Sequence, residues 1–206
     1  MDFPDVTLAI IAGGKASRLG GAPKGLLRLG GRTLLERHLA LGARFADVLL
    51  VANDPAPYRS YEVRTAEDLV PGKGAPGGVH AALASSRTPW ILAMAVDMPF
   101  VRAEAVRLLL DARGSSRLVC FERDGHLEPL LGAYAASLAA QWAPLLAEAP
   151  PFRKIFSALG GRTLPEGALR AVDPALESLA NVNSPEDVAR FALEWPLGWP
   201  PAGSGV

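Results

Sequence analysis

The sequence has a single cysteine, Cys120, and three histidines, His38, His80 and His126, that are not spaced as a zinc site requires. An internal disulfide is excluded, and a reducing cytoplasm is the compartment this composition predicts. A surplus of charge is missing too, because 21 Lys plus Arg balance 21 Asp plus Glu. With no global basic field to recruit nucleic acid or an anionic membrane, a charged ligand must be met by local groups. Apolar runs stay well short of the ~18 residues that a membrane span needs. The first run follows Asp2 and Asp5 and stops at Gly13, which reads against a signal peptide. Two familiar phosphate motifs are also absent. There is no G-x-G-x-x-G followed by an acid after the second strand, where Val51-Ala52-Asn53 stands, and no G-x-x-x-x-G-K-[ST], because Gly25 follows Lys24. A dinucleotide dehydrogenase and a P-loop NTPase are therefore disfavoured.

What is present suits a packed domain. The chain has 206 residues, 50% of them hydrophobic and 20% charged. It is long enough to bury ~70% of the surface that its unfolded form exposes. One domain over residues 1–206 is expected, with an ordered core at about 5–195 and a Pro/Gly-rich, loosely attached tail at 196–206. Short apolar runs at 6–12, 48–52, 90–96 and 118–121 read as strands covered on both faces. Helical spacing at 32–44, 77–86 and 103–112 alternates with them, which predicts an open, mainly parallel sheet in a three-layer α/β/α, Rossmann-like fold. After residue 118 the pattern changes. Asp124-Gly125 is a hairpin turn between runs at 119–122 and 128–134, predicting a small antiparallel edge or flap. Helices are expected at 137–147 and 152–159, and another starting at Ser184-Pro185 with Ser184 as its N-cap.

In an open parallel sheet, ligands bind beyond the carboxyl ends of the strands, so the segments just after the strands matter most. After the first strand comes Gly13-Gly14-Lys15-Ala16-Ser17-Arg18-Leu19-Gly20-Gly21-Ala22-Pro23-Lys24-Gly25. Its glycines let backbone N–H groups approach an anion, and Arg18 and Lys24 add positive charge beside them. A polyphosphate is the guest this loop suits, although a glycine-rich surface turn with solvated bases would look the same in isolation. The third apolar run leads into Asp97-Met98-Pro99. A carboxylate there is costly unless it is solvated, paired or bound to a cation, and Mg²⁺ bridging to phosphate oxygens fits as well as a helix cap or a structural ion pair. Asp68, in a third glycine-rich loop that also holds Lys73, could accept from guanine N–H groups or a ribose hydroxyl. Lysine is scarce, and three of the four, Lys15, Lys24 and Lys73, lie in these loops.

In their order, these segments resemble the molybdenum cofactor guanylyltransferases, within the GT-A-like nucleotidyltransferase superfamily. The resemblance lies in Ile11-Ala12-Gly13-Gly14, Arg18, Gly20-Gly21 and Lys24-Gly25-Leu26, then Glu67-Asp68, Asp97-Met98-Pro99 and Asn181-Val182-Asn183-Ser184-Pro185-Glu186. It covers about residues 6–191. The first motif is shared with other nucleotidyltransferases, so the ordered set carries the specificity. Two positions depart from the family's pattern. Asn-x-Asn after the second strand keeps only Asn53, and Gly-Pro-Leu-Ala-Gly is replaced by Gly74-Ala75-Pro76-Gly77-Gly78.

The resemblance implies transfer of GMP from GTP to the terminal phosphate of molybdopterin or Mo-molybdopterin, giving the guanine dinucleotide form of the cofactor and pyrophosphate. It implies nucleotide contacts at Ile11, Ala12, Gly13, Gly14, Lys24, Asp68 and Asp97, with Asp97 as the Mg²⁺ ligand and Lys24, Arg18 and Asp97 as the catalytic charges. By the same analogy the acceptor lies across the cleft, with Arg153, Lys154, Asn181 and Asn183, and also His126, as candidates. Cofactor-delivery proteins and acceptor molybdoenzymes are the implied protein partners. A cytidylyltransferase for the same pterin and a sugar-1-phosphate nucleotidyltransferase are the rival enzymes. A GTP-binding regulator or scaffold is the rival without turnover.

Overall fold

The computed structural model describes residues 2–13, 17–148 and 150–199; Gly14 and Lys15 fall outside them. The sheet is organised around β1 (Phe3–Ile11), whose residues are apolar on both faces over most of its length. It pairs in parallel with β4 (Phe45–Val51) on one side and β6 (Trp90–Ala95) on the other. Ile11 is in register with both Val51 and Ala95, so three strands reach their carboxyl ends at one level. With β5 (Arg64–Ala66), β7 (Leu118–Arg123), β8 (His126–Ala135) and β9 (Arg162–Pro165), the seven-stranded order is β5-β4-β1-β6-β8-β7-β9. Only β8 runs against its neighbours β6 and β7, and β9 pairs in parallel with β7. The chain leaves β1 toward β4 and returns on the other side at β6, so the switch point that opens a crevice lies at the ends of β1 and β6.

Alternation along the strands sorts the core into two layers. Leu8 and Ile10 of β1 join Leu50, Leu92 and Met94 beneath α1 (Leu34–Gly42), α3 (Ala103–Asp111) and α6 (Glu166–Arg170). Ala9 and Ile11 join Leu49, Ile91 and Ala93 under α2 (Gly74–Ser85), α4 (Ala139–Leu145) and α5 (Phe152–Ala158). This is the three-layer α/β arrangement the sequence predicts. A separate two-stranded ribbon, β2 (Arg28–Leu29) with β3 (Arg32–Thr33), turns through Gly30 and Gly31 at φ of 59° and 78°. Positive φ at both central residues is the hairpin geometry that glycine adopts without strain. Thr33 then caps α1, accepting from Glu36 N while Glu36 accepts from Thr33 N. The expected start at Ser184 is likewise a capping box, opening α7 (Pro185–Arg190), with Asp187 as its reciprocal acid.

Three expectations are corrected. The hairpin is not an edge: β8 inserts between β6 and β7, and β9 closes that side. Helix α2 begins at Gly74 rather than at residue 77, because Pro76 sits in its first turn, where a missing N–H leaves no hydrogen bond unmade. Of the tail expected at 196–206, residues 200–206 lie outside the described residues, but the part up to 199 is not loose: Trp195 and Trp199 pack on a third apolar cluster that includes Leu19, Ala22, Leu27, Leu34, Val182, Val188 and Leu193.

His38 of α1 is buried, and its Nε2–H donates to Val96 O at 3.1 Å, just ahead of Asp97. Burial pushes its imidazole down to about 4. A depressed histidine contributes stability that is complete above the unfolded value near 6.5 and is lost as pH falls toward about 4. NMR titration should therefore find His38 still neutral at pH ~5, with its stability contribution lost between those limits. An imidazole titrating at its ordinary value would contradict the buried placement.

Candidate active site

The site begins where β1 ends. Ala12 N donates to Val51 O at 2.8 Å and Val96 N to Ile11 O at 3.0 Å, so the three-strand ladder extends to the residues entering the loops. From that edge the chain passes into Gly13 and the glycine-rich loop, which returns through a 3₁₀ turn at Lys24–Leu26. Lys24 Nζ reaches back to Asp97 Oδ2 at 2.6 Å and to Asn183 Oδ1 at 2.8 Å. The side chains of Lys24 and Asp97 are only 18% and 15% exposed, so each needs the other's charge. Asp97 O also accepts from Val182 N at 2.9 Å, fastening the segment that holds Asn181 and Asn183 to the end of β6.

Two adjoining cavities open here. The larger, of about 660 Å³, is lined by Ile11, Ala12, Gly13, Gly21, Lys24, Asn53 and Asp68, together with Tyr58 and the start of α2 at Gly74 and Gly78. The smaller, of about 260 Å³, holds Asp97, Asn181, Asn183, Glu128 and Pro129, and shares Ile11, Gly13, Ala75, Val96 and Leu130 with the larger. The Lys24–Asp97 pair therefore spans the boundary between them.

Close packing sets the glycine positions. A methyl group on Gly25 would lie 2.9 Å from Tyr58 Cε1 and 3.0 Å from Val96 Cγ2, and one on Gly78 would lie 2.9 Å from Ile11 Cγ2. Helix α2 can thus bring its first turn against the end of β1. That turn has no side-chain cap, which leaves backbone N–H groups at the cleft, where an anion is favoured. Beside that turn Asn53 and Asp68 clasp each other: Asn53 Nδ2 donates to Asp68 Oδ2 at 2.8 Å, and Asp68 N to Asn53 Oδ1 at 2.9 Å; a methyl group on Gly77 would lie 3.5 Å from Asp68 Oδ2. The second asparagine of the expected Asn-x-Asn pattern is thus the one that orients Asp68.

Of the residues singled out in the sequence, Ile11, Ala12, Gly13, Lys24 and Asp68 line the larger cavity and Asp97, Asn181 and Asn183 the smaller. Gly14 lies outside the described residues. Arg18 is exposed in the Ser17–Leu19 turn and lines neither cavity. Arg153 and Lys154, both exposed on α5, line neither; the Arg153 guanidinium donates to Gly125 O and faces Glu122 at 3.5 Å. His126 is exposed at the hairpin, with Nδ1 2.9 Å from Asp124 O.

The smaller cavity includes residues that sequence reasoning missed. Phe121 pairs with Glu128 but Cys120 with Gly132, so residues 129–131 have no partners on β7 and bulge. Such a bulge re-aims side chains beside a site. Tyr134 Oη donates to Pro129 O at 2.5 Å and holds it. Burial raises the Glu128 carboxyl above its ordinary value. Pro129 inside a strand pattern is the one local sign of the bulge.

The sequence family described as the MobA-like NTP transferase domain matches residues 8–159. The chain belongs to this family. Like its relatives, this NTP transferase is a nucleotidyltransferase enzyme. It is 31% identical over 188 residues to the molybdenum cofactor guanylyltransferase of Desulfosudis oleivorans, covering 90% of this chain and 93% of that one. A probable molybdenum cofactor guanylyltransferase of Chloroflexus aggregans is 36% identical over 202 residues, with coverage of 87% and 89%. Among solved structures, molybdopterin-guanine dinucleotide biosynthesis protein A from Archaeoglobus fulgidus superposes with a TM-score of 0.77 at 28% identity, covering 90% of this chain and 96% of that one.

The NTP transferase loop is tight at Gly25, and this gives a stability test. Gly25→Ala should cost about 1–3 kcal/mol, read as a lower urea midpoint. An unchanged midpoint would mean that the loop stands farther from Tyr58 and Val96 than the structure places it.

Proposed function

We propose that this chain transfers GMP from GTP to the terminal phosphate of molybdopterin or Mo-molybdopterin, forming the guanine dinucleotide cofactor and releasing pyrophosphate. The observation that supports this most is the Lys24–Asp97 pair at the junction of two cavities, one sized for a nucleotide and one beside it for an acceptor. Names carried by the relatives point to the same donor and acceptor.

In this reading the larger cavity takes GTP. Gly13 and the first turn of α2 face the phosphates with backbone N–H groups, and Lys24 supplies the charge. Asp68, oriented by Asn53 and standing beside the start of α2, accepts from guanine N–H groups or a ribose hydroxyl. In the smaller cavity Asn181, Asn183 and Glu128 meet the acceptor. An acceptor phosphate oxygen attacks the α-phosphorus in line, one P–O bond forms, and the bond to the β-phosphate oxygen breaks as pyrophosphate departs. No side-chain nucleophile is needed; the chain brings two anions together and neutralises them.

Among the described residues no three His, Cys, Asp or Glu side chains gather into a metal cage. Asp97 still fits a magnesium ion, which takes one or two protein carboxylates and fills its other positions with water and substrate phosphates. The hydrogen bond from Lys24 engages Oδ2 of that carboxylate, and Asp97 lines the smaller cavity. Bound there, Mg²⁺ would supply charge stabilisation at the phosphoryl oxygens. Arg18, at the rim of the loop, is a further source of positive charge for the triphosphate.

Pyrophosphate release measured with GTP, CTP and ATP, each with molybdopterin and Mg²⁺, tests the assignment. GTP should be preferred; a preference for CTP would make the enzyme a cytidylyltransferase, and GTP binding without acceptor-dependent release would make it a binding protein. Asp97→Asn, which leaves the Lys24 ammonium without its counter-charge, should still fold but with a lower urea midpoint, and should lose about two orders of magnitude or more of turnover. Full activity in that variant would remove Asp97 from the site.

A further inference from the structure

The third apolar cluster backs the site, and its members come from four stretches of chain, one of them Leu34 at the start of α1. Leu19, Ala22 and Leu27 belong to the glycine-rich loop, Val182 stands between Asn181 and Asn183, and Val188 and Leu193 belong to α7 and the segment after it. All are nearly or fully buried, with Ala22, Leu27 and Val182 at 0% exposure. One small core thus backs both a wall of the larger cavity, at Gly21, Ala22 and Pro23, and a wall of the smaller, at Asn181 and Asn183.

The chain end closes over this core in two steps. Arg28 and Glu194 exchange backbone hydrogen bonds at 2.9 and 2.8 Å, adding one antiparallel bridge to β2. Then Pro196-Leu197-Gly198-Trp199 makes a turn in which Trp199 N donates to Pro196 O at 2.9 Å. Gly198, at φ 77°, supplies the positive φ that a type II turn needs at its third position. Leu197 at the turn's tip is 93% exposed, whereas Trp199 is partly buried and returns to the loop. A methyl group on Gly20 would lie 3.8 Å from Trp199 Cζ2, and one on Gly21 4.0 Å from Cη2. The indole therefore stands over two glycines at φ of 60° and 82°, the centre of a turn whose buried ends, Leu19 and Ala22, are joined by the hydrogen bond from Ala22 N to Leu19 O at 3.0 Å.

We infer that Trp199 is a positioning residue, a strap from the chain end that sets the Gly20–Gly21 turn and, through it, where Lys24 and the loop amides meet the triphosphate. The turn is four residues or fewer from Lys24; Leu19 and Ala22 pin its ends, and the indole limits the freedom that the two glycines between them keep. Fixing them in advance spares the ligand that ordering cost. The inference builds on the nucleotide reading above only for the identity of the ligand.

The test compares wild type, Trp199→Ala and Trp199→Phe by hydrogen exchange and by calorimetric titration with Mg-GTP. In Trp199→Ala, amides of residues 18–27 should exchange faster while those of β1 and β6 keep their protection. Binding should weaken about tenfold or more, with Trp199→Phe recovering much of both. Unchanged loop exchange would overturn the strap, as would faster exchange in the sheet as well, which would make Trp199 a general stabiliser. Faster loop exchange with unaltered affinity would also overturn it. The exchange comparison needs no nucleotide, so it decides the strap even if the reaction assigned above is wrong.

Discussion

The ammonium of Lys24, largely withdrawn from water, has to be met by oxygen acceptors, and it finds Asp97 at 2.6 Å and Asn183 at 2.8 Å. Breaking one side of such a pair leaves an uncompensated charge, so three parts of the chain are held in common register at this point. Lys24 comes from the loop after β1, Asp97 from the end of β6, and Asn183 from the segment before α7. None of these can shift far without losing the contact. The level carboxyl ends of β1, β4 and β6, the hydrogen bond from Val182 to Asp97 and the close approach of Gly25 to Tyr58 and Val96 all support the same geometry.

That arrangement also explains how a chain with balanced charge serves an anionic substrate. Cationic and anionic groups are gathered locally instead of spread over a surface. Lys24 and the uncapped first turn of α2 provide positive potential in the larger cavity, whereas Asp97, Asp68 and Glu128 provide carboxylates around it. For the proposed reaction both signs are required: cationic groups for the phosphates, and an oxygen ligand for the metal that accompanies them.

Much of this is legible in the sequence. The strands β1, β4 and β6 are continuous apolar runs because helices cover both their faces, and residues that follow such strands are where an open sheet binds ligands. Lys24, Asp68, Asp97 and Asn183 were accessible on that reasoning. The short strands β5 and β9, at three and four residues, carry polar residues such as Arg64 and Arg162 and show no period to recognise. Because β9 was not visible, the β7–β8 hairpin read as an edge, and the bulge that presents Glu128 could not be placed. Arg153 and Lys154 are acceptor candidates by family analogy alone, and the fold puts them outside both cavities. Trp199 is hidden for a different reason: its packing on the cluster that holds Leu19 and Ala22 spans nearly the whole chain, and no local pattern encodes it.

The central claim is that Lys24 and Asp97 act as one unit at the junction of the two cavities. A double-mutant cycle measures this directly, using acceptor-dependent pyrophosphate release by wild type, Lys24→Ala, Asp97→Asn and the double variant. The account predicts strong non-additivity, with the double variant little slower than the worse single one. Losses that multiply independently would contradict it, showing that the two groups act at separate places and that their ion pair has no part in the reaction.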